Sequence, residues 1–147
     1  NAGAGKDILF VGCAGTGASF TGITLGLKDH GFEVSTVLVD PNGCDSKAGV
    51  FTDHRFEGMA VGVSPPFLDW SLVDERAQVQ HAEMLAAQRW FYMQSGVFVG
   101  NTAAACLAVA QRMAQQPRYA GTTLVTIAYD AGLWYQDLLG ATRRKAA

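Results

Sequence analysis

At 147 residues and a net charge of −2, the chain is one domain by length, or part of a larger one. Hydrophobic residues make up 49 % and charged residues only 16 %, which supplies a core and leaves surface for another chain or domain to cover. That charge gives no electrostatic reason to expect nucleic acid or a membrane surface as partner, and the longest apolar stretch, residues 96–110, is too short to span a bilayer and is broken by Asn101. Cys13, Cys44 and Cys106 are scattered and form no CxxC pair, which fits a reducing compartment, the cytoplasm, and argues against a disulfide framework or a metal site. The start, "NAGAGKD", has no signal-peptide layout and no Met, so either the beginning was removed or the chain is a piece of something longer. The basic end "TRRKAA" reads as a frayed terminus.

Taken in chain order, "DILFVG" is a continuous apolar run ending at glycine, the pattern of a fully buried strand. From Thr16 to about Asp29, the spacing of Phe20, Ile23 and Leu27 predicts a helix stopped by Gly31. "FEVSTVLVD" predicts a second buried strand, and "PNGCDSKAG" a loop. Gly58, Gly62, Pro65 and Pro66 make the next stretch a long covering loop. "LVDERAQVQ" supplies a short strand, and "HAEMLAAQRWFYMQSG" an amphipathic helix closed by Gly96. "NTAAACLAVAQRMAQQ" reads as a buried helix, "TTLVTIAYDAG" as a buried strand and "LWYQDLLG" as a short terminal helix. The alternation argues for an α/β domain around a parallel sheet.

"FVGCAGTGASFTG" is the stretch that carries chemistry. A strand, a glycine loop and a helix start together present bare N–H groups and a favourable dipole to an anion, and Thr16 and Ser19 add hydroxyls. The bland alternative is that the glycines only allow tight packing. A dinucleotide reading would use Gly15, Gly17 and Asp40 at the end of the next strand, but Phe20 stands where the third glycine belongs.

The same stretch resembles the GTGGT segment of cysteine synthases and cystathionine β-synthases, which are fold type II pyridoxal-phosphate enzymes. Four further stretches resemble that family in the same order. "VLVDPNG" is similar to a strand ending in V-(D/E)-P, and "HRFEGMAVGVSPPFLDWSLVDE" to "GIGAGFIPxxLDxxLVDE". "SGVFVGNTAAACLAVAQRMA" is similar to "EGxLxGxSSGAAxAAAxxLA", and "LVTIAYDAGLWY" to "VVxLPDSGERY". The resemblance implies a three-layer domain around a parallel sheet, of the tryptophan synthase β-like fold. It implies that Gly15, Thr16, Gly17, Ala18 and Ser19 hold the 5′-phosphate of pyridoxal 5′-phosphate. It also implies that Gly58, Ala60 and Gly62 lie beside the substrate's amino group, and that the reaction is β-elimination from an activated serine followed by addition of a nucleophile.

By the same resemblance, residues 1–147 form the C-terminal, cofactor-phosphate half of such an enzyme. The family's Schiff-base lysine lies upstream, and none of Lys6, Lys28, Lys47 or Lys145 matches it, so no catalytic residue is assigned here. The implied partner is a chain or segment carrying that half, in a homo-oligomer of the assembled enzyme acting on a small amino acid. Within the motifs, the SSG turn is replaced by Thr102, Ala103 and Ala104, and the serine that meets the pyridine nitrogen by Ala131, next to Tyr129-Asp130. Asp130 either takes over that nitrogen or points outward. The trailing Tyr-x-Asp is shared with relatives of siderophore pathways. A degenerate scaffolding half and a nucleotide-dependent oxidoreductase are the two rival readings. His54 and His81 read as surface residues, His30 as a helix-end dipole contact, and Trp70, Trp90, Phe91, Tyr92 and Trp134 as core or interface.

Overall fold

A computed structural model describes residues 7–134. Strand β1 (Asp7–Cys13) is buried from Ile8 onward and lies inside a sheet of order β3-β2-β1-β4, with β2 at Glu33–Pro41, β3 at Glu75–Val79 and β4 at Thr123–Val125. All three pairings are parallel, with Leu9 opposite Ser35 and Leu124, and Val37 opposite Glu75. Helix α1 (Ala18–Asp29) covers one face; α2 (His81–Ser95) and α3 (Asn101–Ala114) cover the other. The α/β parallel sheet expected from the alternating pattern, and the three-layer domain that the resemblance implies, are the observed architecture.

Side-chain alternation along the strands divides the core. Leu9, Val11, Cys13, Val37 and Val39 pack toward α2 and α3, whereas Phe10 and Leu38 pack toward Phe20 of α1. The alanines of α3 allow it to lie close to the sheet: Ala104 and Ala105 are fully buried. Gly12 leaves room for the Phe10 and Phe20 rings, which sit 5.2 Å apart.

Three elements differ from the sequence expectation. Helix α1 begins at Ala18, not Thr16, because Gly17 takes a left-handed conformation (φ 90°) as its N-cap. The expected buried strand "TTLVTIAYDAG" shrinks to Thr123–Val125, half-exposed, because its pairing with β1 runs only from Ile8 to Phe10. Most of the "LWYQDLLG" helix lies outside the described residues; Leu133 and Trp134 lie in a helical turn at their edge. Helix α2 gains a start signal that the reading above lacks, a capping box in which the Gln80 N–H donates to Glu83 Oε2 at 2.7 Å.

Candidate cofactor cleft

The strand order reverses about β1: the chain runs outward through β2 and β3, then returns on the other side of β1 as β4. Ligands of open α/β sheets bind beyond the carboxyl ends of the strands at such a reversal. A cleft of about 320 Å³ opens there, between the glycine loop, the 57–58 turn, Thr102 at the start of α3, and Tyr129 and Asp130.

The glycine loop is one wall. Gly17 carries no capping side chain, and the first turn of α1 carries no acidic residue, so the N–H groups of Ala18, Ser19 and Phe20 have neither intrahelical nor side-chain acceptors. Thr16 and Ser19 line the cleft and are exposed. Two glycines have a packing reason as well. A Cβ on Gly15 would lie 2.5 Å from the Gly58 carbonyl, and one on Gly17 would lie 2.5 Å from both the Leu68 nitrogen and its Cβ. The covering loop is therefore pressed onto the glycine loop. It is stitched there by Ala60 N–H to Ala14 O at 3.1 Å, Phe67 N–H to Thr16 O at 2.9 Å, and Thr21 Oγ1 to Phe67 O at 2.8 Å.

The opposite wall comes from the end of β1 and the segment after β4. The Cys13 N–H donates to Tyr129 Oη at 3.4 Å. Burial pushes the Tyr129 phenol far above its ordinary range, so it stays protonated. The Gly100 N–H donates to the Asp130 carbonyl at 3.0 Å, and the Asp130 carboxylate sits so close to Gly100 that no side chain fits there. That places a negative charge at the amino end of α3, where the helix dipole favours it.

Of the residues singled out in the sequence, the structure brings Gly15, Thr16, Gly17, Ser19, Gly58, Thr102 and Asp130 to the cleft wall. Ala18 is exposed and is not among the wall residues. Ala60 is buried and outside the wall, in a left-handed conformation (φ 49°), its N–H already donated to the Ala14 carbonyl. Ala131 lies outside the wall, exposed and bridged to Val99. Three wall residues had no sequence signal of their own: Cys13, Glu57 and Tyr129.

The dinucleotide reading loses its acid. Asp40 is 3 % exposed, and its oxygens accept from Ser46 Oγ and from Arg76 Nη2 at 3.0 Å, leaving nothing for a ribose. His54 and His81 are half-buried rather than surface residues. Both line a separate cavity of about 270 Å³, and His81 Nε2 is buried with no hydrogen-bond partner among the described residues. His30 does close α1, its Nδ1 lying 2.7 Å from Gly26 O.

Residues 3–130 match the family model described as pyridoxal-phosphate dependent enzyme. The chain belongs to that family. Within it, the chain is 31 % identical over 134 residues to a cysteine synthase of Haemophilus influenzae, covering 84 % of this chain and 42 % of that protein. It is 30 % identical over 118 residues to a cystathionine β-synthase of Oryctolagus cuniculus, covering 76 % and 21 %. A crystal structure of O-ureido-L-serine synthase superposes with a TM-score of 0.81 at 27 % identity, over 94 % of this chain and 44 % of that one. An O-acetylserine sulfhydrylase isoform of Entamoeba histolytica, at 22 % identity and a TM-score of 0.84, shows the shared fold. The chain thus spans less than half the length of these family members. The family cofactor is pyridoxal phosphate.

Proposed function

We propose that this chain is the cofactor-phosphate half of a cysteine synthase-like enzyme, acting by β-elimination and β-replacement on an activated serine-type amino acid, with the Schiff-base lysine supplied by another chain or segment. The observation that carries the reading is the uncapped, acid-free amino end of α1 facing a cleft at the sheet's reversal point. A doubly charged phosphate needs several donors, and the cleft supplies them as the Ala18, Ser19 and Phe20 N–H groups with the Thr16 and Ser19 hydroxyls.

When bound, pyridoxal phosphate supplies an electron sink for the carbanion at the substrate's α-carbon. The chain's own residues bind and orient. The glycine loop anchors the phosphate end. Asp130, held at the amino end of α3, faces the cleft as an acceptor for a protonated ring nitrogen, the role that Ala131 has no group to fill. Gly58 leaves one rim open to backbone approach by an amino acid. Exposed Trp90, Tyr92 and Met93 on α2 offer apolar surface to the lysine-bearing half and to further copies in the assembly.

Titration of the chain with pyridoxal phosphate, followed by absorbance and by a shift in melting temperature, tests the reading. Binding that falls about ten-fold or more in Ser19→Ala supports it, since a hydrogen bond to a charged group contributes about 1.5–3 kcal/mol. Binding unchanged in Ser19→Ala and Thr16→Ala would refute it. A catalytically degenerate scaffolding half is the second reading, favoured by Ala131 in place of a hydrogen-bonding serine. Binding of cofactor without turnover after a lysine-bearing half is added would select it.

A further inference from the structure

Glu57 is an exposed residue of the cleft wall, and a buried neighbour holds its side chain. Its Oε2 accepts from Asn101 Nδ2 at 3.1 Å. Asn101, the first residue of α3, is fully buried; the same amide nitrogen donates to the Arg55 carbonyl at 3.1 Å, and its oxygen accepts from Gln88 Nε2 at 3.4 Å. Gln88, also buried, is anchored in turn on the Val99 carbonyl at 2.8 Å. A relay of two buried amides therefore ends on one exposed acid in the cleft. The acids in ion pairs set the contrast. Asp40 and Asp45 pair with Arg76, Glu83 with Arg112 and Glu75 with Arg118. Glu57 has a neutral amide as its partner and no cation among the described residues. Nor does the wall supply one: it carries Glu57 and Asp130 but no lysine, arginine or histidine among the described residues. An acid held in this way attracts a positively charged ligand group and repels a negative one.

We propose that Glu57 is a specificity-determining residue, selecting a nucleophile that carries an ammonium group, an amino thiol, over hydrosulfide. The inference rests on the β-replacement reading of the cleft. An ammonium N–H donates to the Glu57 carboxylate while Oε2 keeps its bond to Asn101, since a carboxylate accepts several donors at once. Gly58, the next residue of the wall, adds no side chain that would hold the ligand away from the turn. Hydrosulfide brings a negative charge to an acidic wall and has no group to offset it. Asn101 touches the acid and not the ligand, so it is a positioning residue: it fixes where the negative charge stands.

The test is a titration of the full 147-residue chain with 2-(methylthio)ethylamine and, separately, with its uncharged counterpart 2-(methylthio)ethanol, followed by the amide NMR shifts of Glu57 and Gly58. Both probes are thioethers, so neither exchanges with Cys13 in the wall. The expected result is saturable binding of the amine, tighter than the alcohol by about five-fold or more and weakened by added salt. Glu57→Gln keeps an acceptor for Asn101 and removes the charge, so it should fold like the parent and bind the two probes about equally. A purely structural Glu57 would leave the preference where it was. Equal affinity of the parent for amine and alcohol, or no saturable binding of the amine, would overturn the proposal. So would a preference that survives Glu57→Gln or disappears in Asp130→Asn instead. The pyridoxal phosphate titration reads the glycine loop and uses no amine probe, so failure of the cofactor reading and failure of the amine selection are told apart.

Discussion

Truncating Asn101 should unseat the floor of the cleft. Asn101 is fully buried. Its amide donates to the Arg55 carbonyl and to Glu57 Oε2, both at 3.1 Å, and its oxygen accepts from Gln88 Nε2 at 3.4 Å. Gln88, 1 % exposed, also donates to the Val99 carbonyl at 2.8 Å, so the network runs from α2 through the first residue of α3 to the turn carrying Glu57 and Gly58. Asn101→Ala removes one hydrogen bond to a neutral carbonyl, at about 1 kcal/mol, and one to a carboxylate, at about 1.5 kcal/mol because Glu57 is exposed. It also takes the Oδ1 acceptor from the buried Gln88 amide, so the total loss is about 2–4 kcal/mol. Asn101→Asp conserves shape but turns both donors into acceptors facing a carbonyl and a carboxylate, so it should cost more than the truncation. Urea unfolding of the three proteins measures both differences, and a Gln88→Ala cycle should show coupling above about 0.5 kcal/mol. Two variants within about 0.5 kcal/mol of the parent would refute the network as a support.

Gly17→Ala should cost more than about 2 kcal/mol, because a left-handed alanine is strained and its methyl meets Leu68; an unchanged thermal midpoint would refute this. Ala60→Gly, at φ 49°, should shift stability by less than about 1 kcal/mol, since relief of left-handed strain offsets the added chain entropy of glycine. A loss above about 2 kcal/mol would show that the buried methyl of Ala60 matters more than its backbone. Arg76 holds the Asp45 carboxyl below its ordinary value, chiefly by a hydrogen bond at 2.6 Å. A depressed folded value stabilises the fold fully above the unfolded value of 3.8 and loses that contribution as pH falls below it. Asp45→Asn should therefore lower stability slightly at neutral pH, flatten the acid limb below about pH 4, and converge with the parent at the lowest pH. An identical acid limb would count against the pair.

Where one stretch contains its own explanation, the sequence was readable. β1 is a continuous apolar run ending in glycine, β2 ends on a turn signal, and Gly31 and Gly96 both take the left-handed conformation expected of helix stops. The singled-out residues that reach the cleft wall belong to local motifs. Glu57 was not legible, because what fixes it is Asn101, 44 residues further on. Nor was the true role of Asp40, which depends on Arg76, 36 residues away. Tyr129 reads as part of a strand because Thr122 to Ala128 is β-prone. The sheet pairing nevertheless stops at Val125, and the ring turns in to meet the end of β1. Trp90 and Trp134, read as core or interface, are 48 % and 83 % exposed, so they are not core among the described residues.

The pressing of the covering loop onto Gly15 and Gly17 bears on the order of folding. The donors at the amino end of α1 hold their geometry only while that loop is docked, and the bonds that dock it join residues 46 apart, as between Thr21 and Phe67. No early helix–strand fragment can therefore present the finished anion site, since distant chain segments must close first. The amides of Ala18, Ser19 and Phe20 should exchange hydrogen through openings that release the loop, independently of fraying of α1 itself. Any ligand held there stabilises the 14–21 and 58–69 segments as one cooperative unit.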